Sequence, residues 1–474
     1  MVKNYYVRNN RSNIPLQVIL TRLLIVLIIV IVSYAANAQT WDTVGQAGFS
    51  AGQCNNISIA IDRSGTPYVV YSDSTNNGNA SVVKYNGSSW TVVGRPGFAA
   101  ATYTSLALDS GGTPYIAYMD FNNSQKATVM KYDGSNWVTV GNAGFSAGYA
   151  YFTSIAIDRS GTPYVAYSDG ISSFGPATVM KYSGSNWVTV GNAGFSAGTA
   201  PGTSIAIDPN GTPYVVYQDS VNGSKATVMK YNGSSWVTVG SAVSDCLATY
   251  FSIAIDMNGI PYVAYSPYCY PYKAMVKKYN GIIWVFVGSS GGFSAGQANY
   301  TSIALDAGGT PYVVYEDWGD VSHRATVMKY NGSNWINVGN AAFSQDTVRN
   351  THIAIDGNGT PYVVYTDNGN VTGSGKATVM KFGTKVGVEN TVDLAVNTLS
   401  VYPNPSKGSF TFRIKSVVNE NARIIITNII GQKIKEINAA TNKDLEIALD
   451  VPPGMYYVTA ITEQGRESVK VIVE

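Results

Sequence analysis

The sequence predicts an all-β chain whose larger part is a seven-bladed β-propeller closed by an N-terminal strand, and three observations carry this. A phrase close to Gly-Thr-Pro-Tyr-Val-Val-Tyr recurs seven times, beginning at Gly65, Gly112, Gly161, Gly211, Gly259, Gly309 and Gly359, with a period near 49 residues. Each period holds four short runs of β-branched and aromatic residues separated by turn residues, the pattern of a propeller blade. A Trp recurs in the fourth run as Trp41, Trp90, Trp137, Trp187, Trp236, Trp284 and Trp335, so the first Trp precedes the first phrase and the last phrase has none after it.

In the first repeat the four runs are Ser58 to Asp62, Pro67 to Tyr71, Ser81 to Tyr85 and Ser89 to Val93, named strands A to D. The A-to-B link, Asp62 to Thr66, and the C-to-D link, Asn86 to Ser88, are rich in Gly, Asn, Asp and Ser and read as tight hairpins on one face. The D-to-A and B-to-C loops then gather on the opposite face. The last repeat stops after its C strand, Ala377 to Phe382, and the segment Thr40 to Val44 can supply its missing D strand. Joining first and last strands in one blade closes the ring and leaves no inner edge exposed.

Residues 1–38 carry Lys3, Arg8, Arg11 and Arg22, then the apolar run Leu23 to Val32, then Ala36-Asn-Ala38 before Gln39. That order reads as a secretory signal peptide. The apolar run is short for a bilayer, so no transmembrane span is expected in the mature protein. Removing the segment leaves 27 Lys and Arg against 29 Asp and Glu, a net charge near minus two. The rest of the chain has no basic stripe, which argues against nucleic acid or anionic membranes as partners. At 13% charged and 45% hydrophobic the chain is globular.

The repeat occupies residues 39–385, and a new composition begins near Val386, with a linker over 386–398 and a tail over 399–474. The tail contains Val401-Tyr-Pro-Asn-Pro405, Ser409 to Ile414, Arg423 to Asn428, Gly431-Gln432, Pro452-Pro-Gly-Met-Tyr-Tyr457 and Ser468 to Val473. Alternating strands separated by Gly and Pro predict a small immunoglobulin-like β-sandwich. In this order and place, these motifs resemble the C-terminal sorting domain (type A) of the type IX secretion system of Bacteroidetes. The resemblance implies export by the signal peptide through the periplasm, passage across the outer membrane with the tail as address, and the secretion machinery as partner. The protein is then secreted or held at the cell surface.

The A-to-B phrase Ala-Ile-Asp-x-x-Gly-x-x-Tyr-Val-x-Tyr is similar to the NHL repeat of propellers, and more distantly to the Asp-box turn of sialidases. Both resemblances bear on fold rather than activity. Asp62, Asp109, Asp158, Asp208, Asp256, Asp306 and Asp356 open the A-to-B turns once per repeat. Seven copies of one catalytic group make no chemical sense, so these carboxylates are read as turn acceptors, with the following Gly supplying a left-handed residue. The seven Trp residues are read as outer-strand packing.

Function is expected where the repeats differ, in the loops opposite the tight turns. One equivalent position before strand A reads Asn56, Tyr103, Phe152, Gly202, Tyr250, Tyr300 and Asn350. Tyr149, Tyr151 and Phe251 stand nearby, and Phe121, Phe174, Tyr268, Tyr270, Tyr272 and Trp318 lie in B-to-C loops. An aromatic rim interleaved with Asn, Ser and Asp suits sugar rings, which stack on aromatics and bond through hydroxyls, and it also suits protein contact. The ligand-binding candidates are Tyr103, Tyr151, Phe152, Tyr250, Tyr300, Tyr270, Trp318 and Asp317. A second Asp follows strand B as Asp73, Asp120, Asp169, Asp219, Asp317 and Asp367; no loop has calcium-type Asp-x-Asp spacing, so loop capping is the expectation. No cofactor or metal is implied.

The fifth repeat deviates, with Ser266-Pro267 in place of the second Asp, and with Cys246 and Cys269 in its two variable loops. An oxidising export route makes a disulfide between them plausible, while Cys54, in the first repeat, is expected to stay unpaired. The only histidines are His323 and His352, away from these cysteines. Arg63, Arg95, Arg159, Arg324 and Arg349 do not assemble the arginine cluster of a sialidase, whereas Glu316, Asp317 and Asp320 beside Trp318 leave paired-carboxylate chemistry open. The sequence thus supports a glycan- or polymer-binding module first, a surface protein-interaction or adhesion platform second, and a divergent glycan-cleaving enzyme third. Near-identical repeats suit multivalent binding more than a single asymmetric catalytic pocket.

Overall fold

The computed structural model describes residues 39–368, 375–384, 398–416, 419–429, 431–462 and 465–474. The expected signal peptide and all but the last residue of the expected linker lie outside the described residues. The chain divides into two compact units, Met1–Lys385 and Val386–Glu474.

The described part of the first unit contains seven antiparallel four-stranded sheets, each built in the order A-B-C-D. Sheet 1 consists of Cys54–Ile61, Pro67–Asp73, Asn79–Tyr85 and Trp90–Val92. Sheet 7 consists of Val348–Ile355, Pro361–Asp367 and Lys376–Thr384, with Gln39–Thr43 as its outer strand. Trp41 pairs with Phe382 and Thr43 with Met380, so the two ends of the unit meet in one sheet. This is a propeller-type arrangement of repeated sheets.

The turns form as their residues dictate. Asp62 Oδ1 accepts the backbone N–H of Ser64 and of Thr66, both at 2.9 Å, and the same two bonds recur at the corresponding Asp of every repeat. Gly65 completes the turn at φ +85°, a conformation open to glycine without a Cβ penalty.

Adjacent sheets are joined in two ways. Strands B are buried but for the partly buried Asp169 and Gln218, and they feed seven apolar clusters, each drawn from two successive sheets; one includes Ile59 and Val69 of sheet 1 with Tyr362 and Val379 of sheet 7. Each recurrent Trp also donates its indole N–H to the carbonyl of the Val just after the preceding sheet's D strand, at 2.6–2.8 Å. These bonds run unbroken through all seven sheets, including Trp41 to Val338 and Trp90 to Val44. The repeated Trp is therefore a tie between sheets as well as an outer-strand ring.

Strand A begins earlier than the sequence indicates: sheet 1's runs from Cys54, not from Ser58. Pairing continues past a register shift between Asn55 and Ser58, and five further A strands have the same bulge. Sheet 4 keeps only the short strand Ser204–Ile207.

The second unit has a three-stranded sheet, ordered Thr398–Tyr402, Ser409–Lys415, Asp444–Ala448, and a four-stranded sheet, ordered Lys433–Ala440, Asn421–Asn428, Gly454–Thr462, Gly465–Val473. Both contribute to one core containing Phe410, Phe412, Ile424, Ile426, Val458 and Val471. The Tyr457 ring stays half-exposed, while the hydroxyl of Tyr456 donates to the Pro452 carbonyl at 2.8 Å.

Candidate functional site

The A strands contact one another around the unit and line a central cavity of about 310 Å³. Its wall is polar because one strand-A position reads Ser58, Ser105, Ser154, Ser204, Ser252, Ser302 and His352. Several of these hydroxyls serve the fold: Ser105, Ser154, Ser252 and Ser302 each accept the N–H of an Ile in the next sheet at 3.2–3.4 Å.

Above this wall lies the divergent position, placed within the strand-A bulge in six sheets and just before the short A strand in sheet 4. All seven of its residues are left-handed: Asn56, Tyr103, Phe152, Tyr250, Tyr300 and Asn350 at φ +50° to +53°, and Gly202 at +69°. Asn and Gly tolerate this conformation, whereas a bulky aromatic residue is strained by it. Four aromatic residues in such a ring are an outlier of the kind that collects at functional sites. Neighbouring sheets hold the strained backbone. Thr104, Thr153, Thr203, Thr301 and Thr351 donate their hydroxyls to the carbonyls of Asn56, Tyr103, Phe152, Tyr250 and Tyr300, respectively.

The rings form two arcs. Tyr103 lies 4.8 Å from Phe152 and 6.1 Å from Tyr151, and Phe174 approaches both Tyr151 and Phe152 at 5.1 and 5.0 Å. In the other arc Tyr250, 40% exposed, lies 4.6 Å from Tyr300. Burial and the neighbouring phenols raise the hydroxyl pKa of Tyr103 and Tyr250, so both rings are neutral donors at physiological pH. Between the arcs, a Cβ on Gly202 would meet the ring of Phe251 at 3.0 Å; Phe251 thus fills the place of the missing side chain.

The other candidates do not join these arcs. Tyr270 is 89% exposed at the tip of its loop. Trp318 is 46% exposed, with His323 stacked on it at 4.2 Å and 6°. Asp317 is corrected as a ligand contact: it is 3% exposed, its Oδ1 accepts the N–H of Gly319 and its Oδ2 the hydroxyl of Thr326. Asp73 and Asp120 likewise cap their loops.

The carboxylates around Trp318 are all engaged. The Asn299 amide donates to Glu316 at 3.1 Å, and Asp320 forms an ion pair with Arg324 at 2.9 Å that lowers the Asp320 pKa. Arg159, on the tight-turn face, points toward Met257. Among the described residues no three His, Cys, Asp or Glu side chains are placed to hold one metal ion, and no helix is long and apolar enough to cross a membrane. Cys246 and Cys269 form a disulfide, with Cα atoms 6.4 Å apart, and Cys54 is a buried free thiol whose pKa burial pushes up to about 12.

Sequence reasoning missed His352, which breaks the serine ring of the channel. Its signal was present: it stands where six other repeats have Ser.

Residues 400–474 match the family described as secretion system C-terminal sorting domain. The tail is thus a type IX secretion sorting signal, and it indicates a secreted or outer-membrane surface protein. No curated protein matches the chain. Among solved structures the chain is similar to a fungal alcohol oxidase of the AA5 family in complex with copper, at TM-score 0.51 and 13% identity, covering 92% of this chain and 99% of that one. At that identity the likeness is one of fold. A PL25 ulvan lyase (TM-score 0.47, 13% identity, 72% of this chain and 95% of that one) and the Aleuria aurantia lectin (TM-score 0.41, 16% identity, 63% and 97%) match more loosely.

Proposed function

We propose that the chain is a signal-peptide-exported, seven-bladed, NHL-like β-propeller over residues 39–385, joined by the linker to an immunoglobulin-like sorting sandwich. The propeller binds glycans or related polymers through its loop-bearing face, without catalysing a reaction. The observation that carries this is the ring of left-handed residues at the channel mouth, four of them aromatic in a conformation that Asn and Gly occupy with less strain. Pyranose C–H faces stack on such rings, while the Asn350 amide beside them and the Ser and Thr hydroxyls below bond to sugar hydroxyls.

A second reading, a protein-adhesion platform, draws support from exposed apolar residues in five successive B-to-C loops: Phe121, Ile171, Val221, Tyr270 and Val321. A glycan-cleaving role is the least supported, since Glu316, Asp317 and Asp320 are each tied to a structural partner. A glycan array probed with the full chain tests the three. Saturable sugar binding supports the first reading, cell adhesion without sugar binding the second, and product release the third.

A further inference from the structure

A second cavity opens on the loop-bearing face, between sheets 1 and 2. It has a volume of about 570 Å³ and is lined by Asn55, Asn56, Asn77 and Asn79, with Ser74 and Phe121 at its edge; none of its lining residues carries a charge. The amides differ in how far they are committed. Asn56 Oδ1 accepts the N–H of Tyr103 at 2.9 Å, which fixes that side chain across the gap. Asn79 reaches the Gly97 carbonyl only at 3.4 Å. The side chains of Asn55 and Asn77 are exposed and make no hydrogen bond among the described residues. Phe121 is 55% exposed.

This composition is peculiar to one gap. Asn79 pairs with Asp73, and at the same register Lys126, Lys225 and Lys376 pair with Asp120, Asp219 and Asp367. Asn55 pairs with Ser72, where sheet 7 has Arg349 opposite Thr366. At the Asn79 register the first gap has therefore a carboxamide in place of a cation, and Asn55 adds a second beside it, as Asn299 does in sheet 6 opposite Glu316. A carboxamide both donates and accepts, matching the paired hydroxyls of a sugar, and an exposed phenyl suits the sugar's apolar face. A charged sugar would leave its carboxylate or sulfate without a counter-charge among these residues.

We propose that this gap is a binding site for one neutral pyranose, separate from the channel mouth. The inference rests on the glycan-binding reading above. The test is saturation-transfer NMR and calorimetry on the full chain with D-glucose, D-galactose, D-mannose, L-fucose and D-glucuronate as probes. At least one neutral sugar is expected to saturate, with D-glucuronate at least about tenfold weaker. The double variant Asn55→Ala, Asn79→Ala and the single variant Phe121→Ala, all on partly or fully exposed side chains, should each weaken that sugar by about tenfold, the effect of one or two lost hydrogen bonds or a lost stacking contact. Ile282→Ala, at an exposed side chain on the tight-turn face, should leave it unchanged. Equal binding of glucuronate, a neutral-sugar affinity left unchanged by both gap variants, or one lost equally with Ile282→Ala overturns the proposal. An array positive for glycans with no single sugar saturating overturns this site alone. Gap-dependent sugar binding that is untouched when Tyr300→Gly also leaves array binding intact overturns the channel reading alone.

Discussion

Replacing Tyr300 by glycine separates a ring kept for binding from a ring kept for packing. Tyr300 sits at φ +51°, where an L-residue is strained by about 1–2 kcal/mol that glycine relieves. Against this stand the loss of the Tyr250 contact at 4.6 Å, worth about 0.5–1.5 kcal/mol for an aromatic pair, and the extra backbone entropy of glycine, about 0.5–1 kcal/mol. The Tyr300 carbonyl still accepts the Thr351 hydroxyl, since that bond uses backbone. The terms nearly cancel, and the chain already has glycine at this position in its fourth repeat. For a unit of roughly 350 residues the unfolding entropy is about 0.7 kcal/mol/K, so the expected shift in Tm is within about 2 °C. Tyr300→Ala loses the ring but keeps the strain and should melt below the glycine variant. Scanning calorimetry supplies the stabilities and glycan titration the affinities, with both variants expected to lose at least about tenfold in binding. A fall of more than about 5 °C for Tyr300→Gly with affinity unchanged would refute the argument.

Four further outcomes follow from the same geometry. Trp41→Ala removes the indole bond to Val338 and the stack on Phe343 at 4.1 Å, and should destabilise by about 3 kcal/mol, read as a Tm loss of roughly 4 °C; a loss under 1 °C would show that the clasp is not held there. Thr153→Val deletes the hydroxyl that bonds the Tyr103 carbonyl and should cost about 1–2 kcal/mol in denaturant titration, with no change in volume to confuse the reading. The paired substitution Cys246→Ser, Cys269→Ser opens a 23-residue loop and should lower stability by about 3 kcal/mol in the chain-entropy view, whereas Cys54→Ser should not respond to oxidation state. Burial pushes the His352 imidazole down to about 4, below its ordinary 6.5, so the neutral form is favoured in the fold. Its stability is then whole above pH 6.5 and falls as pH drops from 6.5 toward 4, by less than about 3 kcal/mol because the ring borders the channel; Tm against pH for the native chain and His352→Ser should diverge over that window, and parallel curves would deny the shift.

What the sequence displayed and what it hid have a common cause. Turns built on Asp62 and Gly65 are local, so five residues suffice to read them, and their repetition made the four-stranded unit legible. The match of Trp41 to the missing seventh Trp was legible for the same reason. The bulge in strand A was not. It depends on a hydroxyl from the next repeat, such as Thr104 onto Asn56, about fifty residues away, and a run such as Asn55-Asn56-Ile57 reads locally as loop. Asp317 stood both as an expected loop cap and as a ligand candidate because the two roles use the same residue type; its burial and its bonds to Gly319 and Thr326 favour the cap.

The hydrogen-bonded belt also shows where the ring relies on other ties. The bond from Thr to the preceding left-handed carbonyl is absent at two junctions, because Ile57 replaces Thr between sheets 7 and 1 and Phe251 replaces it between sheets 4 and 5. At the first, Ile57 is 2% exposed and packs with Tyr362 and Val364 of sheet 7, beside the clasp strand. At the second, Phe251 covers Gly202, and the Cys246–Cys269 bridge fastens the loop that crosses from sheet 4 to sheet 5 onto the B-to-C loop of sheet 5. An apolar contact is less directional than a hydrogen bond, so these junctions fix the neighbouring left-handed residues less tightly. Those residues are Asn350 and Gly202, the two at which the ring has no aromatic side chain in front of a substituted Thr. Wherever the ring does present a strained aromatic residue, at Tyr103, Phe152, Tyr250 and Tyr300, the next sheet supplies the Thr that holds it. Asn56 has the same restraint from Thr104, but no strained aromatic residue lacks one, which is what a preorganised binding surface requires.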